Sequence, residues 1–423
     1  MNQLDHQALS SLRQELRKDY DLVAGNKIAL DLSRGKPAAD QLALSEGLEN
    51  TIKGNYRAKD GTDVRNYGGL RGLPEARELG AELLDVPAET VIAGGNSSLN
   101  LMHLVTHTAM QVGLWGDERR WQKDESPALI APVPGYDRHY VLSDALGLDL
   151  RTVNMTADGP NLEEVRRAAE DPSVKGIWCV PKYSNPTGCT YSEETVQALA
   201  ELPKLAAAED FVVLWDNAYA VHDLEFPMRT LASIQAAAIS HGTEDHIVQF
   251  ASTSKITFAG GGVAFLASSE RVLATLENQL GFMTIGPDKV NQLRHVLFLQ
   301  GRIAEHMQAH AALLKPKFDL VLATLEDELG ELDIAHWTQP SGGYFVSLDL
   351  RPGLAREVIN LAQQVGLTLT PAGATFPHND DPEDKNVRIA PTFAELSDLN
   401  AAMQILTLCV KLATVEQTLE QTP

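Results

Sequence analysis

The chain has 423 residues, and two domains are expected because single cores rarely grow past about 250 to 300 residues. Acidic residues outnumber basic ones by 57 to 35, and the formal net charge of -22 argues against nucleic acid or an anionic membrane as a partner. Three cysteines without the spacing of a metal site favour a reducing cytoplasm and argue against a disulfide framework.

The first twenty residues favour an amphipathic helix. Apolar side chains recur at Leu9, Leu12, Leu16 and Tyr20 with charges between them, and no continuous apolar stretch suggests a signal peptide. Elsewhere no run approaches the roughly 18 apolar residues of a membrane span, so we expect a cytoplasmic protein that does not enter a membrane.

From about residue 90 the sequence alternates short apolar runs with helical periods. The runs are TVIA, ALIAPV, VKGIWCV, FVVLWD, HIVQFA and GVAFLA. Strands regularly separated by helices predict an α/β domain with a mostly parallel sheet that helices cover on both faces. We assign residues 46–315 to this large domain.

After about residue 315 the pattern changes to long helices and a few short strands. A strand YFVSLDL, a helix near 354–365, short strands TLTP and VRIAP, and a closing helix from about 394 predict a smaller α+β domain. The N-terminal helix and DLSRGKP have no place in the parallel series. We therefore combine residues 1–45 with 316–423 in this small domain.

Lys255, in the stretch QFASTSKITFAGGGVAF, is unusual because the nearest charged residues are Asp245 and Glu270. It follows a predicted buried strand, and ligands of parallel α/β sheets bind at the carboxyl ends of strands. Burial lowers the pKa of a lysine and makes the neutral amine a nucleophile that can form a Schiff base. The alternative is a lysine whose stem packs while its ammonium reaches solvent.

Asp216 ends the next apolar strand upstream, where an unpaired carboxylate is costly. Its partner is either a structural arginine or the protonated ring nitrogen of pyridoxal 5'-phosphate, which needs that proton to withdraw electrons. His139 is a candidate to hydrogen-bond Asp216 from behind, and a satisfied core histidine is the alternative.

Other strand ends also carry candidate ligand residues. GGNSS leads into a helix, predicts an N-cap at Asn96 and offers backbone amides to a phosphate, although such turns are also ordinary caps. Tyr136 could stack on a flat ring or belong to the core. Asn185 lies in a turn and could donate to a phenolic oxygen. Arg388 sits in a short apolar strand and fits a substrate carboxylate or a buried salt bridge.

Taken in order, these motifs resemble the class I aminotransferases of fold type I, over nearly the whole chain. The order is SRGKP, NYGGLRGLPEAR, GGNSS, PGY, NPTG, DNAY, STSK and VRIAP. The resemblance implies an aminotransferase that uses pyridoxal 5'-phosphate in a ping-pong reaction between an L-amino acid and a 2-oxo acid. It also implies a homodimer with active sites at the subunit interface.

The resemblance also implies a role for each matching residue. Lys255 would hold the cofactor as an aldimine and move the proton at the substrate Cα. Asp216 would pair with the pyridinium, and Arg388 would bind the α-carboxylate while Gly35 allows close approach. The remaining cofactor ligands would be Asn96, Ser97, Ser98, Tyr136, Asn185, Tyr219 and Ser252, with Tyr67 reaching in from the second subunit; Asn185 would also contact the substrate, and no metal is expected.

One position departs from the family pattern. The family usually has a phosphate-binding arginine eight residues after the lysine, and Val263 stands there in this chain. The combination of motifs resembles a divergent bacterial aspartate aminotransferase branch, so aspartate and 2-oxoglutarate are the expected substrates. The cation for a second substrate carboxylate stays open among Arg34, Lys36, Arg138 and Lys182.

Three other hypotheses compete with transamination. The same cofactor could support β-elimination or decarboxylation, or the chain could be an aminotransferase-like ligand-binding regulator. Residues 1–50 contain no basic helix-turn-helix segment that would favour the regulator. A nicotinamide dehydrogenase is the weakest alternative, because GGGVAF lacks the strand-turn-helix context of a dinucleotide site.

Overall fold

The structure is a computed structural model that describes residues 5–25 and 29–421. The α-helices are α1 (His6–Ala24), α2 (Ala39–Ala43), α3 (Pro74–Leu84), α4 (Ser98–Gln111), α5 (Asp137–Ala145), α6 (Leu162–Ala169), α7 (Glu193–Leu205), α8 (Ile234–His241), α9 (Glu270–Met283), α10 (Lys289–Leu299), α11 (Ile303–Leu329), α12 (Ala355–Gln364) and α13 (Leu396–Gln421). The strands are β1 (Leu30–Asp31), β2 (Val91–Ala93), β3 (Ala128–Val133), β4 (Asp149–Thr156), β5 (Gly159–Pro160), β6 (Val174–Cys179), β7 (Val212–Asp216), β8 (Ile247–Ser252), β9 (Ala264–Ala267), β10 (Ala335–Trp337), β11 (Val346–Leu350), β12 (Leu367–Thr368) and β13 (Asn386–Ile389).

The central sheet has the strand order β2-β9-β8-β7-β6-β3-β4-β5. Strands β8, β7, β6, β3 and β4 are parallel to their neighbours in that run, which confirms the predicted mostly parallel sheet. Strand β9 is different, because it runs antiparallel to both β8 and β2. The chain enters β9 from a turn without a crossover helix, and a turn can join only antiparallel neighbours.

Strand β7 shows why the central strands read as continuous apolar runs. Val212 and Leu214 pack into one core cluster, with α4 and α9, while Val213 and Trp215 pack into a second cluster, with α7 and α8. Successive side chains point to opposite faces of a sheet, so a strand covered by helices on both sides must be apolar at every position.

The N-terminal and C-terminal parts of the chain share one core. Helix α1 packs on α13, and β1 pairs with β12 from the far end of the chain. A separate antiparallel sheet has the order β10-β11-β13. The expected boundary at 315/316 falls inside α11, a continuous helix that packs on α13; the division into two domains stays a prediction.

Helix α13 is long and apolar enough to cross a membrane by length and composition, with a mean hydropathy of 1.2 over 18 residues. In the structure, 67% of that window is buried inside the protein. Leu399, Leu406 and Val410 are fully buried in the core shared with α1 and α11. The apolar residues of α13 are therefore used in internal packing.

Candidate active site

The carboxyl ends of β6, β7 and β8 meet the first turns of α4 and α5 around one cavity. Asp216 is the last residue of β7, and Lys255 follows the end of β8 by three residues. Seven of the residues singled out in the sequence line the cavity, beside Val180 and Ala218: Ser98, Tyr136, Asn185, Asp216, Tyr219, Ser252 and Lys255.

Lys255 is half-buried, and its ammonium opens on the cavity. Burial lowers the pKa of this lysine below its ordinary value, and the negative charge of Asp216 across the cavity opposes that shift. The Nζ atom lies 5.1 Å from the ring centroid of Tyr219. A neutral amine at this position is a nucleophile and a proton acceptor.

Asp216 has one oxygen satisfied and one without a partner. Its Oδ2 lies 3.0 Å from Nε2 of His139, and both side chains are buried. Its Oδ1 is buried and has no hydrogen-bond partner among the described residues. A buried carboxylate oxygen left unpaired costs free energy, so this atom marks a place where a donor is expected to bind.

Aromatic rings hold His139 in place behind Asp216. The imidazole stacks on Trp178, with centroids 4.2 Å apart, and Tyr136 meets it edge-on at 5.0 Å. Trp178 Nε1 donates to Ser143 Oγ, whose hydroxyl donates to the carbonyl of His139. This packing fixes which oxygen of Asp216 faces the cavity.

The expected N-cap at Asn96 is wrong. Helix α4 begins at Ser98, with Ser97 at the N-cap position and no side-chain capping bond. Asn96 instead donates from Nδ2 to the carbonyl of Gly260, 3.1 Å away, because its turn packs against the triple-glycine turn. Ser98 and Ser252 line the cavity beside Lys255, whereas Asn96 and Ser97 do not.

Val263 stands where the resemblance leads one to expect a phosphate-binding arginine. It is buried, and its amide donates to Thr253 Oγ1 at 2.9 Å. Asn291 Nδ2 donates to the carbonyls of Gly261 and Gly262, each at 2.9 Å, and this fixes the glycine turn. Within the described part of the chain, the cavity lining contains hydroxyls at this end and no basic side chain apart from Lys255.

Arg388 lies in β13 with a side chain only 10% exposed. Its Nη1 donates to Asn185 Oδ1 at 3.2 Å, and Asp137 Oδ1 is 3.5 Å from the same nitrogen. Its Nε donates to Thr370 Oγ1 at 3.3 Å. Arg388 is thereby directed toward Asn185, which lines the cavity.

Gly35 lies against the aromatic ring that supports Arg388. A side chain at position 35 would begin 2.1 Å from Cζ of Phe345, a distance that no carbon contact allows. The guanidinium of Arg388 also packs on this ring, with its carbon 4.8 Å from the Phe345 ring centroid. Glycine is therefore required where the N-terminal segment, residues 29–45, passes close to Phe345.

Tyr67 is not part of the cavity within this chain. Its side chain is 84% exposed, and its carbonyl accepts a hydrogen bond from Lys289 Nζ at 3.0 Å. The expectation that Tyr67 reaches the active site of a second subunit stays a prediction.

The four candidate cations for a second carboxylate have different surroundings. Lys182 is buried and forms an ion pair with Asp223 at 3.0 Å. Arg34 pairs with Asp31 at 2.9 Å, and Arg138 lies 3.7 Å from Asp137, with both arginine side chains more than half exposed. Lys36 lies 4.1 Å above the ring of Phe393. Lys182 is already neutralised, and the other three remain accessible.

Sequence reasoning missed several side chains next to the site. Asp137 directly follows Tyr136 and reaches Arg388, and Phe345 supports that arginine from below. His306 and His310 lie beneath the Lys255 turn. Their i, i+4 spacing places them on one helix face and was the available signal. Across the described ranges, no group of three or more His, Cys, Asp or Glu side chains is placed to hold a metal ion.

Comparison with known proteins gives one consistent family. A family model described as aspartate amino-transferase matches residues 4–422. An aspartate aminotransferase of Corynebacterium glutamicum is 41% identical over 419 residues, which cover 98% of this chain and 96% of the relative. A Mycolicibacterium smegmatis protein, provisionally named an aminotransferase, is 45% identical over 95% of this chain and 94% of its own.

Solved structures of aminotransferases have the same fold as this chain. An aspartate transaminase of Corynebacterium glutamicum superposes with a TM-score of 0.94 at 40% identity, covering 98% of each chain. An α-aminoadipate aminotransferase of Thermus thermophilus, solved with N-(5'-phosphopyridoxyl)-L-leucine, has a TM-score of 0.75 at 20% identity, covering 93% of this chain and 94% of the other. The second comparison supports the fold alone.

Proposed function

Since the chain belongs to the aspartate aminotransferase family and is an aminotransferase, we propose that it uses pyridoxal 5'-phosphate to move an amino group from aspartate to 2-oxoglutarate. The transfer is ping-pong, because one site must release the oxo acid product before it accepts the second substrate. The name of the relative that is 41% identical supports aspartate as the donor.

The observation that carries the cofactor proposal is the unpaired Oδ1 of Asp216. This buried oxygen belongs to a residue that lines the same cavity as Lys255 and Tyr136. A protonated pyridine nitrogen is the donor that satisfies the oxygen, and His139 on the opposite oxygen keeps the carboxylate oriented. The residues present therefore fit the cofactor.

The other lining residues fit the remaining parts of the cofactor. Tyr136 would cover one ring face, and Asn185 and Tyr219 would reach the phenolic oxygen. Ser98 and Ser252 would donate to the phosphate, aided by the free backbone amides in the first turn of α4. Asn96 and Ser97 are proposed to contribute through the turn they form. In this arrangement hydroxyls and backbone amides would stabilise the phosphate by hydrogen bonding in place of an arginine.

Each protein group has a defined task in the reaction. When bound, pyridoxal 5'-phosphate supplies an aldehyde that condenses with amines and a protonated ring that withdraws electrons from the substrate Cα. Lys255 would hold the cofactor through Nζ, and its neutral Nζ would accept the proton from the substrate Cα. Arg388 orients the substrate by its α-carboxylate, with Asp137 as the anion that the carboxylate replaces.

We propose that the active form is a homodimer in the cytoplasm. Tyr67, Phe282, Met283 and Ile285 are 65 to 84% exposed. Residues 67 and 68 lie beside the segment that follows α9: Lys289 donates to both of their carbonyls, and Gly286 packs against Gly68. The four exposed side chains are therefore close together. Exposed aromatic and aliphatic side chains that cluster indicate an interface. Three free cysteines are consistent with a reducing compartment.

The central experiment loads purified protein with pyridoxal 5'-phosphate and reduces it with borohydride. Peptide mass spectrometry is expected to find the cofactor on Lys255 and not on Lys182, the matched buried lysine. Aspartate is expected to bleach the visible absorbance faster than alanine or aromatic amino acids. Absence of label from Lys255 in folded protein would overturn the assignment.

The alternatives give different results in the same assays. Release of pyruvate and ammonia without an oxo acid acceptor would indicate a lyase, and binding without turnover would indicate a regulator. Turnover that needs a nicotinamide and no pyridoxal 5'-phosphate would indicate a dehydrogenase.

Subunit mixing tests the dimer. Lys255→Ala and Tyr67→Ala are each expected to be inactive as pure proteins. After they are mixed, hybrid dimers contain one site with both residues intact, so activity should return. No recovery, despite subunit exchange shown by mass spectrometry, would contradict a Tyr67 contribution across the interface.

A further inference from the structure

A buried polar network lies beneath the Lys255 turn and takes no part in the reaction described above. It contains His306 and His310 from α11, Gln41 from α2, Tyr344 before β11, and His222 after β7. All five side chains are less than 9% exposed. Their hydrogen bonds meet at the carbonyls of Lys255 and Ile256, which are the two backbone groups that follow the reactive side chain.

Two histidines bind the same carbonyl. Nε2 of His306 lies 2.7 Å from the oxygen of Ile256, and Nε2 of His310 lies 2.9 Å from it. A carbonyl oxygen only accepts hydrogen bonds, so each Nε2 carries a proton. Burial lowers the pKa of both histidines, that of His310 to about 4, so the rings are neutral near pH 7 and each Nδ1 is an acceptor.

This tautomer fixes the orientation of Gln41. Its amide nitrogen lies 3.3 Å from Nδ1 of His310 and 3.1 Å from the hydroxyl oxygen of Tyr344, and it can donate to both. Its Oε1 accepts from the backbone amide of Ala38. The hydroxyl proton of Tyr344 is then free for the carbonyl of Lys255 at 3.4 Å. One amide side chain therefore connects the N-terminal segment to both carbonyls.

The network also reaches the substrate side of the site. Tyr344 contacts the Lys255 carbonyl, and the next residue, Phe345, lies between Gly35 and Arg388. Tyr344 and Phe345 are adjacent in the chain, so one short segment contacts both the Lys255 carbonyl and the guanidinium of Arg388. A loosened Lys255 peptide would let its side chain move relative to the group that orients the substrate.

We propose that His306, His310 and Gln41 are positioning residues: the histidines hold the carbonyl of Ile256, Gln41 orients His310 and Tyr344, and together they set the place of the Lys255 amine relative to Arg388. The proposal rests on the proposed function for its kinetic consequence. Its structural consequence, a rigid peptide at residues 255–256, holds without any cofactor.

A donor-keeping and a donor-removing substitution at position 310 form the first test. His310→Gln can still donate to Ile256 and should stay within about threefold of the parent in kcat. His310→Leu removes the donor, and kcat should fall about tenfold, the value of one hydrogen bond of about 1.4 kcal/mol, with little change in KM for aspartate. Equal kcat for the folded Leu variant and the parent would overturn the proposal.

His295→Asn is the matched control. His295 is also buried under the same turn, where its Nε2 meets the hydroxyl of Thr257 at 2.9 Å, but it contacts neither carbonyl. Its loss should lower stability and leave kcat unchanged. If His295→Asn and His310→Leu lower kcat equally, the histidines act only as packing and the positioning role is wrong.

Hydrogen exchange of cofactor-free protein separates this proposal from the proposed function. Amides of residues 253–258 should exchange at least tenfold faster in His310→Leu than in the parent, whether or not Lys255 binds a cofactor. Unchanged exchange would overturn the positioning role, whereas failure of Lys255 labelling in the parent would overturn only the cofactor assignment.

Gln41→Glu provides a variant of nearly identical shape in case His310→Leu does not fold. A carboxylate at position 41 accepts from the hydroxyl of Tyr344 and takes that donor from the carbonyl of Lys255, so kcat should fall. It also favours the protonated His310, so the pH profile of kcat should change. The other charged or titratable groups that face these rings are Arg302, Glu305, Asp40, Lys182 and Lys255. An unchanged pH profile and kcat would contradict the role of Gln41.

Discussion

Two lysines in equivalent places, Lys182 buried and Lys255 half-buried, have opposite surroundings. Lys182 follows the end of β6 by three residues, and Lys255 follows the end of β8 by three residues, with β7 between the two strands. Burial lowers the pKa of both. Lys182 contacts Asp223 at 3.0 Å and the carbonyl of Ala220 at 2.9 Å, whereas the ammonium of Lys255 faces a cavity and an aromatic ring.

The difference shows what makes a buried lysine reactive. A carboxylate in contact satisfies the ammonium and fixes it, so Lys182 stabilises the fold. A carboxylate across a cavity acts on Lys255 only through its charge, so the amine remains free to form a covalent bond. The following predictions test this contrast, beginning with the largest effect.

Replacing the two lysines should separate chemistry from stability. Lys255→Ala should lower kcat by more than about 10⁴-fold, because the variant loses both the nucleophile and the proton acceptor. Lys182→Met, assayed well below its unfolding temperature, should keep most of its activity. Coupled aspartate turnover measures kcat. A Lys255→Ala enzyme that keeps 1% of parental kcat would contradict the assignment of the reactive role to Lys255.

Asp216→Asn should lower kcat about 10³-fold, since it removes the negative charge that would pair with a protonated ring nitrogen. It should also lower the pKa of Lys255 further, because the carboxylate at 216 favours the ammonium form. The pH dependence of Lys255 acylation, compared between cofactor-free parent and variant, measures this shift. The same comparison at Lys182 should show no change in pKa. A shift toward higher pH would contradict the electrostatic argument.

Lys182→Met should lower the free energy of unfolding by about 3 kcal/mol, because Asp223 is left as a buried charge without its cation. Urea unfolding measures this change. The double variant with Asp223→Asn should recover part of the loss, since neither charge then remains. No recovery would mean that packing of the lysine stem, rather than the ion pair, stabilises this turn.

Acid should destabilise the protein through the Lys255 turn. His310 has a pKa of about 4 when folded and about 6.5 when unfolded. The unfolded chain thus binds more protons, and stability that is present above pH 6.5 is lost as the pH falls toward 4. The share of His310 is about 2 kcal/mol lost by pH 5, added to the losses from His222, His295 and His306, whose pKa values burial also lowers. Urea unfolding of His310→Gln beside the parent isolates this share, which the variant should lack.

Two tyrosines give the smallest expected effects. Tyr183 donates to Asp223 at 2.6 Å, so Tyr183→Phe should lower the free energy of unfolding by about 1.5 kcal/mol. Tyr219→Phe keeps its ring beside Lys255 and should lower kcat about fivefold through loss of the hydroxyl, about 1 kcal/mol. Reversed outcomes, with Tyr183 affecting kcat and Tyr219 affecting stability, would invalidate the comparison.

The sequence predicted most of the sheet because a strand covered on both faces has to be apolar throughout, as in β3, β6 and β7. It did not predict the direction of β9, since apolar residues at 264–267 suit a parallel or an antiparallel strand equally. Only the short connection after β8 decides the direction.

The candidate site also has a part that the sequence predicted and a part that it did not. Strand ends place Lys255, Asp216, Asn185 and Tyr136 on one edge of the sheet, so their proximity follows from chain order and period. The cap of α4 does not, because Asn96 satisfies Gly260, which is 164 residues away along the chain.

The sequence by itself determined the fold class, the order of the strand-end motifs and the lysine that has no charged neighbour, since these depend on local period and residue type. Only the tertiary structure decided which buried lysine has a carboxylate in contact, which oxygen of Asp216 lacks a partner, and which histidines hold the Lys255 peptide. These properties depend on side chains that are distant in sequence, and a pairing between distant residues becomes defined only when the chain packs.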